Sequence, residues 1–511
     1  MSDASFRKGT LVDPLRRIDA ERRDMIHNAS ISILSEPGFL CFNEQAADIF
    51  GSNGCTVTRE DAEGAWNVRI PREVVMNAVE SAPSRIVLGA RDRSKALELD
   101  STVPREYFGT GSETNIFLET AMEKFRAVSD SSKEIEAPVF TEHRGSISRL
   151  CDSARLCNAL ENVDFFIRNV NIQDEGIGED NKDVNVFFAS LMYMTKHVQA
   201  GITNLDALDD VLRMAEIIAG GPEALEENPL VSFIACVVKS PLQMVDDTTN
   251  KVIEIAKRGI PLVISSSPQG GSTAPVQEEG IVSMINAEIL AGITLTQLVN
   301  PGTPVLYGAV PVRARLDTLH DLYGIADFVH YNLDCVQMAR QYRVPCYSTA
   351  GVGDAKTPGV QATLEKMLTH MGVGMSGAQY IHYAFGLLDR TNVFSPVQAV
   401  LDDSAVGMVR NVARKPKFDA DNVQGAVNEV GKVMKSGTRL FARHIRKHLR
   451  RGVVSDPFPY AGDGVHDETI ARAVDRLAEI RGAPGEPLPE EIIEKIREAV
   501  PGLLSMDNFR L

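Results

Sequence analysis

Residues 348–361 read STAGVGDAKTPGVQ, after a short apolar run and ahead of a helical pattern. Gly351 and Gly353 bracket Val352, Asp354 stands where it could cap the next helix, and Lys356 lies just inside that helix. Glycines permit unusual backbone angles and short polar residues mark helix starts, so this is the composition of a loop at the C-terminal end of a barrel strand. An ordinary βα turn reads the same way. What separates the two readings is recurrence.

Working outward, apolar strands are expected at 163–172, 198–202, 230–238, 262–266, 305–309, 346–350 and 378–383, alternating with helical stretches such as LDALDDVLRMAEIIAG and VSMINAEILAGITLTQLV. Their starts lie roughly 30 to 45 residues apart, the length of a βα unit with insertions. Strands that are apolar nearly throughout are buried on both faces, which indicates a parallel sheet. Seven consecutive units fit a closed barrel better than an open sheet, with 107–118 (YFGTGSETNIFL) as the candidate eighth strand. No GxGxxG turn follows a first strand to support the doubly wound alternative. The expected fold is a TIM (β/α)8 barrel over 105–455. An α+β module over 1–104 precedes it, and a helical extension over 456–511 follows.

Composition narrows the function. The 511 residues carry a net charge of -16 with a pI near 5.2, a poor basis for gripping nucleic acid or anionic lipid. Seven cysteines with no CxxC pair suggest buried reduced thiols. The charged start, MSDASFRKGTLVDPLRRIDAERR, lacks the apolar core of a signal peptide, and no stretch reads as a membrane span, so a cytoplasmic protein is expected.

Active sites of parallel barrels form at the C-terminal strand ends. Those ends bring Asn169, Asn171, Thr203, Cys236, Lys239, Gln269, the following GGST, Tyr307, Arg313, Arg315, Val352, Asp354, His382, Tyr383 and Phe385, with Glu113 and Phe117 from the candidate eighth strand. Tyr307, Tyr383, Phe385 and Phe117 could cage a cation or simply be core. Lys239 could form a Schiff base or be a solvated loop lysine, and His382 could be a base or a satisfied barrel histidine. GGST could cradle phosphate. His444 and His448 have metal-ligand spacing, but RHIRKHLRR reads as a solvated basic face. There is no HExxH, GxSxG or Walker loop, so the chemistry is expected to come from a partner's cofactor.

In their order, IHNASISILSEPGFLCF, VRIPREVVMNAVESAPSRIVLGARD, YFGTG, CNALENVDFF, SPL at 240–242, GGSTAPV, NAEILAGITLTQLVNPGTPVLYG and GVGDAKTPGVQA are similar to stretches of the trimethylamine methyltransferase superfamily. The resemblance covers nearly the whole chain. It implies a TIM barrel that moves a methyl group from an amine to the Co(I) of a separate corrinoid protein. Cobalamin would be supplied by that partner rather than bound tightly here, and no metal site is implied. A homo-oligomer is also expected. Members that use trimethylamine carry pyrrolysine before Ser-Asp-Ala-Lys; here Gly353-Asp354-Ala355-Lys356 follows Val352, and the later Pro-Asp-Asp or Pro-Asp-Ala is Pro-Gly-Val. Valine offers no electrophilic imine. The chain therefore resembles the branch of glycine betaine methyltransferase, with Val352 and Asp354 at the catalytic position. Glu113, Phe117, Asn171, Gln269, Tyr307, His382, Tyr383 and Phe385 are expected around a quaternary amine. Glycine betaine is the expected substrate; carnitine, proline betaine and choline stay open. Two competing readings are a barrel that binds quaternary amines without catalysis and a phosphate-binding lyase using Lys239.

Overall fold

A computed structural model describes residues 6–60, 62, 64–126, 134–416, 418–437, 439–441, 458–460 and 468–511. His444, His448 and the expected 455/456 boundary lie outside the described residues.

Among the described residues the main sheet has nine strands: β1 (Thr10–Leu11), β2 (Arg105–Phe108), β3 (Phe165–Ile167), β4 (His197–Ala200), β5 (Val231–Ala235), β6 (Leu262–Ser266), β7 (Val305–Ala309), β8 (Cys346–Thr349) and β9 (Tyr380–His382). Their spatial order is β1-β2-β9-β8-β7-β6-β5-β4-β3. The seven expected strands thus lie side by side in chain order and all pair in parallel. β2 joins β9 in parallel at the far edge, which is where 107–118 was expected to sit.

Closure departs from the expected barrel. The sheet curls until β2 meets β3, but the seam is two isolated parallel bridges, Gly109 with Phe165 and Thr114 with Val170, not a ladder. Asp164 reinforces it: its N–H donates to the Phe108 carbonyl at 2.7 Å, and its carboxylate accepts the Phe108 N–H at 2.7 Å. Pairing nearer the start of β2 is blocked because β1 already occupies Arg105 and Glu106 in antiparallel register. The sheet is therefore curled and not closed. The chain also leaves β2 early. Ile116–Arg126 pairs with Glu134–Arg144 in a long hairpin instead of extending the closing strand.

A second hairpin, Arg85–Leu88 with Leu97–Asp100, plugs the N-terminal end of the curl. Its alternate residues Ile86, Leu88, Leu97 and Leu99 pack inward against Tyr107, Val263, Leu306 and Tyr347. The first hundred residues also carry the antiparallel strands Phe39–Cys41, Thr56–Glu60 and Ala65–Arg69, extended by Gln243–Met244 from the loop after β5. Near the C-terminus, the helix Thr469–Gly482 packs on Pro396–Ala413 and Ile147–Ala159.

The helix Glu278–Val299 ties these parts together. It packs on β6 and β7 and on the helices Ala20–Ser35, Arg72–Ser81 and Ala326–Tyr342. Contrary to the sequence reading, it is long and apolar enough to cross a membrane, with a mean hydropathy of 1.4. The reason is its position: 94% of that window is buried inside the fold, so it is apolar all round like other interior helices. Glu288 on this helix is buried and accepts from Ser240 Oγ at 2.8 Å, Leu242 N–H at 2.9 Å and Ser266 Oγ. The SPL turn is thereby fastened to the end of β6.

Candidate active site

Strand alternation decides which side chains face the interior of the curled sheet. In β8, Tyr347 joins the interior cluster, while Cys346 faces the helices and Ser348 donates to Asn332 on the Ala326–Tyr342 helix. In β9, Tyr380 faces inward and Ile381 outward. The result is a run of rings along the inner wall. Phe165 and Tyr380 stack with centroids 3.5 Å apart, Tyr380 and Tyr347 are 5.7 Å apart, Tyr347 and His382 4.1 Å, and His382 and Tyr383 3.8 Å. His382 Nε2 lies 2.7 Å from Thr349 Oγ1, and its buried Nδ1 has no partner among the described residues. Burial pushes this imidazole well below its usual range, so it is neutral at physiological pH. Tyr383, at the left-handed φ of 68°, is the half-buried ring at the top of the run.

Gly111 lies against these rings. A Cβ there would stand 2.4 Å from Tyr383 Cδ1 and 3.0 Å from His382 Nδ1. We expect Gly111→Ala to cost about 1–3 kcal/mol by overpacking. A lowered Tm and a turnover reduced up to about 100-fold by misplacing Tyr383 would show it; an unchanged turnover would separate Tyr383 from the site.

Cys236, at the end of β5, is exposed, against the expectation of uniformly buried thiols; the other six cysteines are buried and unpaired. Its Sγ donates to Ser265 Oγ at 3.4 Å. The surrounding strand ends still push its thiol pKa up, so it is protonated at neutral pH.

A charged cluster stands at the ends of β2, β3 and β4. Glu113 is ion-paired with Arg168 and, at 2.7 Å, with Lys182. Burial pushes the Glu113 carboxyl up, but Arg168 and then Lys182 outweigh it and hold the group below its usual range. One carboxylate against two cations leaves the cluster with a net charge of +1. Arg168 Nη2 reaches over Gly201, 3.9 Å from where a Cβ would stand. Asp183, next to Lys182 in sequence, is engaged by the N–H groups of Thr203 and Asn204.

Val352 is fully buried in an apolar cluster with Val312, Tyr323, Phe328 and Leu387, with Tyr383 packed against it. The loop that carries it is fixed by one face of the helix Val360–Val373. Thr369 Oγ1 accepts the Gly351 N–H at 3.0 Å, and Glu365 accepts those of Asp354 and Ala355 at 2.7 and 3.0 Å. Lys366 donates to the carbonyls of Gly351 and, at 2.9 Å, Leu387. Gly351 has φ 79°, and a Cβ there would meet His370 Nε2 at 2.1 Å. Asp354 does not cap this helix, which starts at Val360 with Gly359 as its cap. Its carboxylate instead accepts the Tyr323 and Gly324 N–H groups, the latter at 3.0 Å, and burial pushes its pKa up.

Of the residues expected around a ligand, His382 and Tyr383 share the inner wall and Glu113 stands on the rim. Three aromatics lie elsewhere. Tyr307 points to the helices, donating to Asn286 Oδ1 at 2.9 Å, with its ring 6.4 Å from that of Tyr342. Phe385 is buried in the shell between sheet and helices. Phe117 sits in the long hairpin, 5.8 Å from the Phe394 ring. Asn171 donates to Asn115 Oδ1 at 2.9 Å beneath that hairpin. Gln269 is turned toward Leu319 and Asp321, donating to both. The GGST loop folds on itself: the N–H groups of Ser272, Thr273 and Ala274 all donate to the Gln269 carbonyl at 3.0 Å. These donors are not presented to a phosphate. Lys239 is exposed on a short hairpin that joins the sheet of the first hundred residues. Arg313 and Arg315 pair with Asp327 and Asp317, at 3.2 and 2.7 Å. Sequence reasoning missed Tyr347, Tyr380, Phe165, Arg168 and Lys182.

The profile of the family described as trimethylamine methyltransferase (MTTB) matches residues 9–451. The chain belongs to this family. Its relatives include the trimethylamine methyltransferase MttB of Desulfitobacterium hafniense (strain DSM 10664 / DCB-2), 27% identical over 93% of this chain and 91% of the relative. The MttB of Methanosarcina barkeri is 30% identical over 75% of this chain and 73% of its own length. The glycine betaine methyltransferase of Desulfitobacterium hafniense (strain Y51) is 26% identical over 87% of this chain and 86% of its own length. The protein is thus a methyltransferase. In this MTTB-family methyltransferase the ring wall, the Glu113 cluster and the Val352 loop converge on the mouth of the curled sheet.

Proposed function

We propose that this methyltransferase takes a methyl group from a quaternary amine that also bears a carboxylate, glycine betaine foremost, and passes it to the Co(I) of a separate corrinoid protein. We read the curled sheet as a barrel whose C-terminal mouth holds the amine. One observation carries the reading: two unlike walls in that mouth. The half-buried Tyr383 ring just past β9, packed on His382, suits a cation whose methyls cannot donate hydrogen bonds. The net positive cluster of Glu113, Arg168 and Lys182 suits a carboxylate. A zwitterion satisfies both walls; trimethylamine satisfies only the first.

Val352 supports the same choice. Sealed among apolar side chains, it gives a tertiary amine nothing to react with or donate to. A quaternary ammonium needs no such help, because it leaves as a neutral amine and no proton must be delivered. That agrees with a neutral His382. The chain's own residues bind, orient and exclude water, and positioning is the main catalytic contribution. A corrinoid-carrying partner, when docked, supplies the methyl acceptor. Val276, Leu316 and Leu319 are 46%, 62% and 56% exposed on the loops that follow β6 and β7, an apolar rim for such a partner to cover.

Calorimetry tests the binding half. Glycine betaine should bind more tightly than choline, and trimethylamine most weakly. Tyr383→Leu should weaken all three by about 0.5–2 kcal/mol, the range of a cation–π contact. Tightest binding of trimethylamine would overturn the reading.

A further inference from the structure

We propose that Asp321 is the counter-ion of the substrate's ammonium group and, standing across the mouth from Arg168, fixes which way round a zwitterion lies. The inference rests on the quaternary-amine reading above and deepens it. It starts from a small three-stranded sheet, Gln269–Gly270, Val312–Ala314 and Asp321–Leu322, built from the loops that follow β6 and β7.

Register decides where the carboxylate points. Gln269 lies beside Val312, and Ala314 beside Asp321. Cross-strand neighbours share a face, and so do alternate residues of a strand. Gln269, Val312, Ala314 and Asp321 are therefore on one side, and Arg313 and Leu322 on the other. Val312 is buried in the Val352 cluster with Tyr323, and Tyr383 packs against that cluster. The same side thus carries Asp321 toward the Tyr383 ring. The Gln269 amide donates to Asp321 Oδ1 at 2.6 Å, and Asp354 holds the next turn through the Tyr323 and Gly324 N–H groups. Burial pushes the Tyr383 and Tyr323 hydroxyls up, and the Asp321 carboxylate adds to both, so both stay protonated.

This half-buried carboxylate has no ion-pair partner among the described residues, because the arginines around it are committed elsewhere. Arg313, on the other face, pairs with Asp327 at 3.2 Å, Arg315 with Asp317 at 2.7 Å, and Arg390 with Asp389 at 3.5 Å. Arg390 does reach Asp321, but its Nε donates to the main-chain carbonyl at 3.3 Å and leaves the carboxylate alone. An unpaired negative charge turned toward an aromatic ring attracts a cation.

Its place matches a zwitterion. Along the curl, β7 stands four strands from β3 by way of β6, β5 and β4, and four by way of β8, β9, β2 and the seam. Asp321 belongs to the loop after β7, and Arg168 follows β3, so the negative group and the net positive cluster stand on opposite sides of the mouth. As the carbon–nitrogen bond breaks, its electron pair goes to nitrogen and the ammonium charge fades. Asp321 therefore favours the bound substrate over the transition state. It contributes binding and orientation rather than rate.

Calorimetry of the full chain with glycine betaine, tetramethylammonium and tert-butylacetate, the isostere of glycine betaine with carbon in place of the charged nitrogen, separates the roles. Asp321→Asn keeps an acceptor for Gln269 and removes the charge. It should weaken glycine betaine and tetramethylammonium alike, by about 5- to 20-fold as for partly screened charge pairs. Binding of tert-butylacetate should stay within about twofold, and Tm should not change. In methyl transfer to free Co(I) cobalamin, KM for glycine betaine should rise by the same factor while kcat holds or increases, and Asp321→Glu should recover part of the affinity. Equal losses on all three ligands, or unchanged affinity for the two cations, would overturn the inference. A wild-type chain that binds tetramethylammonium as tightly as glycine betaine would remove the carboxylate from the proposed substrate. Weaker tetramethylammonium binding by Asp321→Asn would then still uphold Asp321 as the counter-ion.

Discussion

Replacing Arg168 by alanine should lower kcat/KM for glycine betaine by about 10- to 150-fold, the equivalent of the roughly 1.5–3 kcal/mol that a hydrogen bond to a charged group contributes. The substitution takes the rim cluster from two cations and one carboxylate to one of each, so its net charge falls from +1 to zero. Choline has no carboxylate, and its turnover should change less than threefold. Arg168→Lys should fall between, since an ammonium keeps the charge but loses the planar fork that meets a carboxylate. Equal losses on both substrates would assign Arg168 a structural role instead. The anchor should hold across neutral pH. Glu113 titrates below its usual range in the folded state, so its stabilising pairing is fully present above the unfolded value. It is lost only as pH falls through the lower folded value.

Lys366→Met should destabilise the fold by about 3–5 kcal/mol, the cost of leaving one member of a buried ion pair alone. Lys366 and Asp402 are 3.1 Å apart with both side chains 2% exposed. Burial pushes the lysine down and the aspartate up, and each partner opposes that shift in the other. The lysine also holds the carbonyls of Gly351 and Leu387, so its loss frees the loop that carries Val352. Lys366→Met with Asp402→Leu should recover only part of the stability. Asp402 also accepts from the Gly386 N–H at 2.8 Å and from Gln398 at 2.9 Å, and both donors would lose their acceptor. Urea unfolding measures these differences; a loss under about 1 kcal/mol for Lys366→Met would contradict the account.

The parallel strands and their order were legible because each βα unit is local in sequence and pairs with the next. The seam was not. Thr10–Leu11 is too short to show any periodicity, yet it takes the edge of β2 that closure needs. The inward direction of side chains was also hidden. In strands buried on both faces hydropathy does not alternate, so VLYGA gives no sign that Tyr307 faces the helices. A register anchor would have supplied it: a Cβ at Gly308 would meet the Ile264 carbonyl at 2.6 Å. Arg168 escaped notice because the expected strand ran over 163–172, whereas the strand ends at Ile167 and leaves Arg168 on the rim. The Val352 loop was found from its glycines, but its support by Glu365, Lys366, Thr369 and His370 depends on a helix face that only the fold brings to it.

The central claim is that the amine is quaternary and carries a carboxylate. Its most direct measurement is the formation of methylcobalamin from free Co(I) cobalamin by the full chain, followed by absorbance with glycine betaine, choline and trimethylamine in parallel. Glycine betaine should be demethylated fastest, choline more slowly, and trimethylamine not above the rate without enzyme. Faster methylation from trimethylamine than from glycine betaine would contradict the account.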